Sequence, residues 1–164
     1  VTVTRTVPSP LGPLLLVGDG HRLGGLFLGG ERRPPALGQG VEDGSAFADA
    51  AVQLDEWFAG RRQVFELDLA AEGSPFQQPV WTALLEIPYG ETVTYGEVAA
   101  RVGRPGSARA VGRAVGRNPI GIVVPCHRVV AAGGALGGYA GGLDAKRWLL
   151  AHEQRVTHRD GRRS

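Results

Sequence analysis

The stretch TYGEVAARVGRPGSARAVGRAVGR, Thr94–Arg117, decides how this chain is read. Thr94 and Glu97 stand in the T-x-x-E spacing of a capping box, in which the hydroxyl takes an N–H three residues on and the carboxylate reaches back. The box opens a helix across Val98, Ala99 and Val102. Gly103-Arg104-Pro105-Gly106 then makes a tight turn, and Ser107 is placed to cap a second helix from Ala108 to about Arg117. Two short helices joined by a glycine-containing turn form a helix-turn-helix candidate over about 94–118. In the second helix Ala108, Ala110, Gly112, Ala114 and Gly116 are small, while Arg109, Arg113 and Arg117 recur every four residues on one face. Two internal glycines cost about 1 kcal/mol each relative to alanine. That cost makes sense where the backbone must come close to another surface such as DNA. An exposed basic face with no partner fits the same pattern.

Downstream, Asn118-Pro119 ends the helix and Ile120–Val124, mostly β-branched, reads as a buried strand. Pro125 biases Val124 toward extended backbone. The single cysteine follows, in Pro125-Cys126-His127-Arg128-Val129. A thiol attacks as its thiolate, and a neighbouring histidine or arginine shifts that balance. Consecutive side chains of an extended chain point apart, so a bridging water between Cys126 and His127 is expected rather than direct contact. A carboxylate that orients the imidazole completes such a relay, and Glu153, near the end of a helix spanning Leu143 to His152, is one candidate. A buried structural cysteine is the alternative reading.

Upstream, Ser74-Pro75 starts a helix whose core face is Phe76, Val80, Ala83 and Leu84, ended by Pro88 and Gly90. Ala70–Gly73 reads as a linker, dividing the chain into an N-terminal domain, 1–72, and a second domain, 73–164. Within the first, Val1–Val7 alternates like a strand. Leu14–Val17 and Leu23–Leu28 suit a hairpin through Gly18-Asp19-Gly20, and Gly29–Gly44 reads as loop. Ser45 can cap a helix carrying Phe47, Ala51, Leu54 and Phe58, and Val64–Leu69 alternates again. The expectation is a small antiparallel sheet plus helix, followed by a mainly α domain. Trp57, Trp81 and Trp148 read as core, and His21, His152 and His158 as surface or local-capping residues.

The chain has 164 residues, 43% hydrophobic and 21% charged, which suits folded globular domains and excludes overall disorder. One cysteine excludes an internal disulfide and a four-thiolate metal site. No apolar run approaches the roughly 20 residues that span a bilayer. The start lacks a signal pattern, so a cytoplasmic setting is expected, nucleoid-associated in a bacterium. Residues 1–72 carry 6 Arg against 10 Asp and Glu, whereas 73–164 carry 12 Lys and Arg against 6. A nucleic-acid partner would therefore meet the second half. A solvated surface with a mobile basic tail at Arg155, Arg159, Arg162 and Arg163 accounts for the charge equally.

Pro125–Val129, with Asn118 eight residues before Cys126 and Arg109 nine before that, resembles the O6-alkylguanine-DNA alkyltransferase family, the methylated-DNA–protein-cysteine methyltransferases. The likeness takes in Tyr95, Arg109-Ala-Val-Gly112, Asn118-Pro119, Ile122–Val130, Tyr139-Ala-Gly-Gly142 and Lys146–Glu153. It covers nearly all of Phe76–Glu153, and the N-terminal half more loosely through Ser9-Pro-Leu-Gly-Pro13. It implies a ribonuclease-H-like α/β domain followed by a winged-helix domain. It also implies single-turnover transfer of an alkyl group from O6-alkylguanine in double-stranded DNA to Cys126, with the damaged base flipped out. His127, held by Glu153, would take the thiol proton, and Lys146 would polarise the cluster. Tyr95 would lie near the phosphate and protonate guanine N3, and Asn118 would act as hinge. Arg109 would fill the vacated stack, on a surface made by Ser107, Ala108, Ala110, Gly112 and Arg113. Pro125, Val129, Tyr139, Ala140 and Gly141 would line the pocket.

The resemblance implies no cofactor, no metal, no membrane and no obligate protein partner. It leaves O4-alkylthymine as a second substrate and cooperative binding along DNA open. Ala140 stands where some relatives carry serine, and Gly121 where some carry proline, so a hydroxyl contact and the pocket width differ. Competing readings are a damage-binding relative that transfers nothing, a cysteine hydrolase and a plain winged-helix regulator. Cys126 argues against the first, the lack of any oxyanion-hole signal against the second, and the Cys-His-Arg segment against the third.

Overall fold

The computed structural model describes residues 2–29 and 40–161. The chain forms two compact units, one up to Glu72 joined by Pro119–Val123, the other Gly73–Asn118 with the stretch from Val124 onward.

In the first unit, β1 (Val3–Val7), β2 (Leu14–Gly18), β3 (Leu23–Leu28) and β4 (Val41–Glu42) lie in the order β3-β2-β1-β4. The three longer strands pair antiparallel, and β4 joins β1 in parallel. The expected loop Gly29–Gly44 thus contains a short strand, while residues 30–39 lie outside the described residues. The β2–β3 turn is held by Asp19, whose Oδ1 accepts the N–H groups of His21 (2.9 Å) and Arg22 (2.7 Å). Helix α1 spans Ala48–Phe58. Ser45 does not cap it: its N–H and hydroxyl both bond Asp43, and Phe47, at φ 52, stands at the N-cap with no side-chain cap. The buried face is Phe47, Ala50, Gln53, Leu54 and Trp57, so Ala51 and Phe58 are not its centre. The helical period is as read, but the stripe is displaced by a residue because Phe47 precedes the first turn.

Two expected strands of this unit are absent. Along Val64–Leu69 only Leu69 bridges, to Leu23, because Gln53 takes both backbone groups of Glu66. Along Ile120–Val124 only Ile120 bridges, to Leu26. The burial expected there is observed, but the chain turns: Val123 N–H donates to the Gly121 carbonyl across Ile122 at φ 70. A β-branched residue in the left-handed region costs on the order of 1–3 kcal/mol.

The second unit contains α2 (Gln77–Leu84), β5 (Val93–Thr94), α3 (Tyr95–Arg101), α4 (Ala108–Gly116), β6 (Val129–Val130) and α5 (Leu143–Gly161). Short 3-10 turns cover Cys126–Arg128 and Ala132–Gly134, and β5 pairs with β6 in parallel. Ser74 and Gln77 bond reciprocally, side chain to backbone, ahead of α2. The Thr94–Glu97 capping box forms as expected. Val98 and Ala99 of α3 and Val111, Ala114 and Val115 of α4 are buried, and the Trp81 indole N–H donates to the Ala114 carbonyl at 2.8 Å. Ser107 makes no side-chain cap; its carbonyl takes the Val111 N–H instead.

α5 runs past His152 because no breaker precedes Gly161. Arg155 and Arg159 are therefore helical rather than tail residues, and Arg162 and Arg163 lie outside the described residues. Trp57 and Trp81 are core, whereas Trp148 is half-buried, stacked on His152 at 4.9 Å. His152 is buried by that stacking, contrary to a surface placement. Among the described residues no helix is long and apolar enough to cross a membrane.

Candidate active site

Cys126 begins a 3-10 turn, in place of the extended backbone expected across Cys126 and His127. The turn is prepared by Pro125, at φ −81 and ψ 63, across which Cys126 N–H donates to the Val124 carbonyl at 2.8 Å. This is the geometry of an inverse γ-turn. The Asn118 amide donates to the same carbonyl at 2.8 Å, tying the end of α4 to the residues just before the cysteine. At about three residues per turn, consecutive side chains leave the backbone in different directions, and His127 and Arg128 converge at their tips on Glu153. All three are buried.

His127 turns toward α5, its Nε2 2.7 Å from Glu153 Oε2. Glu153 is fully buried and receives further donors. Oε1 accepts from the Gly90 N–H (3.0 Å) and Arg128 Nε (3.0 Å), and Oε2 also accepts from Arg128 Nη2 (2.8 Å). Burial alone would raise this carboxyl. The hydrogen bond with His127, followed by the hydrogen bonds and charge of Arg128, helps pull it down to about 2, so it is ionised. An ionised carboxylate only accepts, so His127 Nε2 carries a proton and Nδ1 is the basic nitrogen of the neutral ring. Burial, the largest influence, holds His127 below its ordinary value; Glu153 opposes this and Arg128 and Lys146 reinforce it.

Arg128 is itself fixed on other sides. Nη1 donates to the Ile87 carbonyl at 2.7 Å, and the guanidinium lies 5.4 Å over the Tyr89 ring. Gly90, at φ +81, must be glycine: a Cβ there would come within 2.4 Å of Thr157 Oγ1. That close approach brings its N–H onto Glu153.

Lys146 is fully buried, and its ammonium donates to the carbonyls of Val129 (2.7 Å), Gly138 (3.1 Å) and Leu136. An ammonium has three donors, so these bonds pin residues 129–138 to α5. Burial lowers its pKa, and Cys126 pulls the other way. Tyr95, first residue of α3, is half-buried with its ring against Gly112 of α4. A Cβ on Gly137 would come within 2.7 Å of its hydroxyl, and the Gly138 N–H bonds that oxygen. Burial raises its pKa, Cys126 adds to this, and Gly138 opposes it, so the phenol keeps its proton.

The turn after α4 and α5 therefore assemble Cys126, His127, Glu153 and Lys146, while Tyr95 stands within electrostatic reach of Cys126. Arg109 and Arg113 are exposed on α4 and Arg117 is exposed at its C-cap, with Ser107, Ala108, Ala110 and Gly112 half-buried. Pro125 and Val129 are buried, Tyr139 and Gly141 half-buried and Ala140 exposed. Sequence reasoning read Gly90 only as a helix end, and gave no place to Gly138, the Ile87 carbonyl or Arg128 at Glu153. Only Arg128 had a signal, its position beside His127.

Two family models match: the DNA binding domain of 6-O-methylguanine DNA methyltransferase over residues 75–155, and its ribonuclease-like domain over residues 2–71. The chain belongs to the 6-O-methylguanine DNA methyltransferase family. It is 50% identical over 150 residues to the methylated-DNA–protein-cysteine methyltransferase of Mycobacterium tuberculosis, covering 92% of this chain and 91% of that one. It is 51% identical over 146 residues to the enzyme of that name from Methanosarcina acetivorans, covering 88% and 94%. The crystal structure of Mycobacterium tuberculosis OGT in complex with DNA is similar with a TM-score of 0.90 at 48% identity, covering 94% of each chain. The expected fold, a small-sheet domain followed by a helical one, is that of this family.

A carboxyl depressed in the folded state stabilises the protein above its unfolded value. The contribution of Glu153 is therefore full above about pH 4.5 and drains away as pH falls toward about 2. Urea midpoints should show Glu153→Gln clearly less stable than the parent near pH ~6, with the gap narrowing near pH ~2.5. A gap that is constant across this range contradicts the charge assignment.

Proposed function

We propose that this protein repairs O6-alkylguanine in double-stranded DNA by moving the alkyl group onto Cys126, once per molecule. The observation that carries the reading is the buried series Cys126–His127–Glu153 in a chain of this family. Cys126 gives its proton to His127 Nδ1 through a bridging water, with Glu153 holding the ring. The thiolate attacks the alkyl carbon, an S–C bond forms, the C–O6 bond breaks and the electron pair leaves with guanine. Tyr95, whose phenol keeps its proton, supplies a proton to guanine N3. The product thioether is a poor leaving group and the chain has no second thiol, so turnover stops there. Bond exchange of this kind uses no cofactor.

An in-stack base shields its alkyl carbon, so the base must be flipped. Arg109 enters the stack from α4, whose Ser107, Ala108, Ala110 and Gly112 allow close approach and whose Arg113 adds phosphate attraction. Pro125, Val129 and the Tyr139–Gly142 loop with Ala140 and Gly141 enclose the base. Lys146 holds that loop's approach through three carbonyls, and Asn118 couples α4 to the cysteine turn. In this reading residues 1–72 are the α/β domain and 73–164 the DNA-binding and transfer domain. The protein works on DNA in the cytoplasm without an obligate protein partner.

Cys126→Ala should retain binding to O6-methylguanine duplex yet take up no radiolabelled methyl; label on that variant contradicts the nucleophile. Arg109→Ala should slow single-turnover transfer from duplex by about tenfold or more, roughly 1.4 kcal/mol of barrier, while changing transfer from the free base little. Equal slowing on both substrates contradicts its place in the stack.

A further inference from the structure

Glu153 faces two groups that can carry positive charge, yet only one of them titrates near neutrality. Arg128 meets both of its oxygens, with Nη2 2.8 Å from Oε2 and Nε 3.0 Å from Oε1. The fork cannot swing away, because Nη1 is held by the Ile87 carbonyl and the Tyr89 ring lies under the guanidinium. We propose that Arg128 is a positioning residue that keeps the His127–Glu153 pair free of an extra proton, so that His127 can accept one from Cys126. The proposal rests on the reading of Cys126 as nucleophile and His127 as its base.

The reasoning is one of charge balance in a buried place. A lone carboxylate there would draw a proton onto its neighbour, since an uncompensated buried charge is strongly disfavoured. With Arg128 bonded to it, the carboxylate is already neutralised, and a protonated His127 would leave the cluster with excess positive charge. Lys146 of α5 adds to that excess. The charged and titratable groups that bear on His127 are Glu153 and Lys146 from α5 and Arg128 from its own turn. Cys126 bears on Lys146 and Tyr95, while Tyr89, beside Arg128, is itself influenced by Arg159 and Asp160 of α5. Burial holds Tyr89 up at about 12, so it does not titrate in the working range. His127 lies below its ordinary value, chiefly through its burial, and the charges of Arg128 and Lys146 add to that depression.

The test follows the His127 ring by NMR against pH, with the resonance assigned by its loss in His127→Gln. It is run in the parent, Arg128→Gln and Arg128→Lys, alongside the pH dependence of single-turnover methyl transfer from O6-methylguanine duplex. The parent ring should titrate below 6.5, the ordinary value. Arg128→Gln should raise that titration by about one pH unit or more, and the acid limb of the rate profile should move up with it. Arg128→Lys, which keeps the charge but not the fork, should track the parent. A parent ring titrating at or above 6.5 overturns the proposal. So does an Arg128→Gln protein that is slower by one factor at every pH with the ring titration unmoved. Should Arg128→Gln not fold, the other two decide: both rings below 6.5 support the proposal, and either at or above it contradicts it. Absence of transfer by the parent at every pH counts against the nucleophile reading, and the ring titrations still decide the part of Arg128.

Discussion

A single buried carboxylate, that of Glu153 on α5, gathers donors from two separate segments: the turn at Gly90 and the 3-10 turn at His127 and Arg128. Placing a charge in that position is costly unless it is paired and fully hydrogen-bonded. The bonds that satisfy it also dictate where those segments lie. Gly90 must come close enough for its N–H to reach, which excludes a side chain. The 3-10 turn must present two consecutive side chains toward α5, and that leaves the preceding residue, Cys126, on a different side. The Cys126 sulfur is thereby oriented by a group several bonds removed from it.

A second set of bonds works on backbone. Lys146, the single lysine among 18 basic residues, spends its ammonium on three carbonyls between Val129 and Gly138. Gly137 and Gly138 of that segment lie beside the Tyr95 hydroxyl, and Gly112 of α4 lies beside its ring. Tyr95 therefore bridges helix α4 and the segment at Gly137 and Gly138. The small residues of α4 serve this packing as well as any approach to DNA.

Much of this was legible in the sequence. The capping box at Thr94, the two helices that follow, the β2–β3 hairpin and the roles open to Cys126, His127 and Glu153 come from spacing and motif. The unread parts have physical reasons. Ile120–Val124 has the composition of a strand, and nothing in a β-branched run announces Ile122 at φ 70. Val64–Leu69 alternates correctly, but the Gln53 side chain takes backbone bonds a neighbouring strand would need. Charge at Arg155 and Arg159 suggested a tail, whereas nothing before Gly161 interrupts α5. Arg128 was visible as a cation beside His127. Its partner 25 residues away was not, because long-range pairing leaves no periodic trace.

In the proposed repair reaction one sulfur accepts one alkyl group and keeps it. Intact mass spectrometry of the protein after incubation with excess O6-methylguanine duplex tests this most directly. A gain of a single methyl group per chain, located on Cys126, with no further repair by the modified protein, is expected. An unchanged mass, a methyl on another residue, or continued repair by a protein already modified would contradict it.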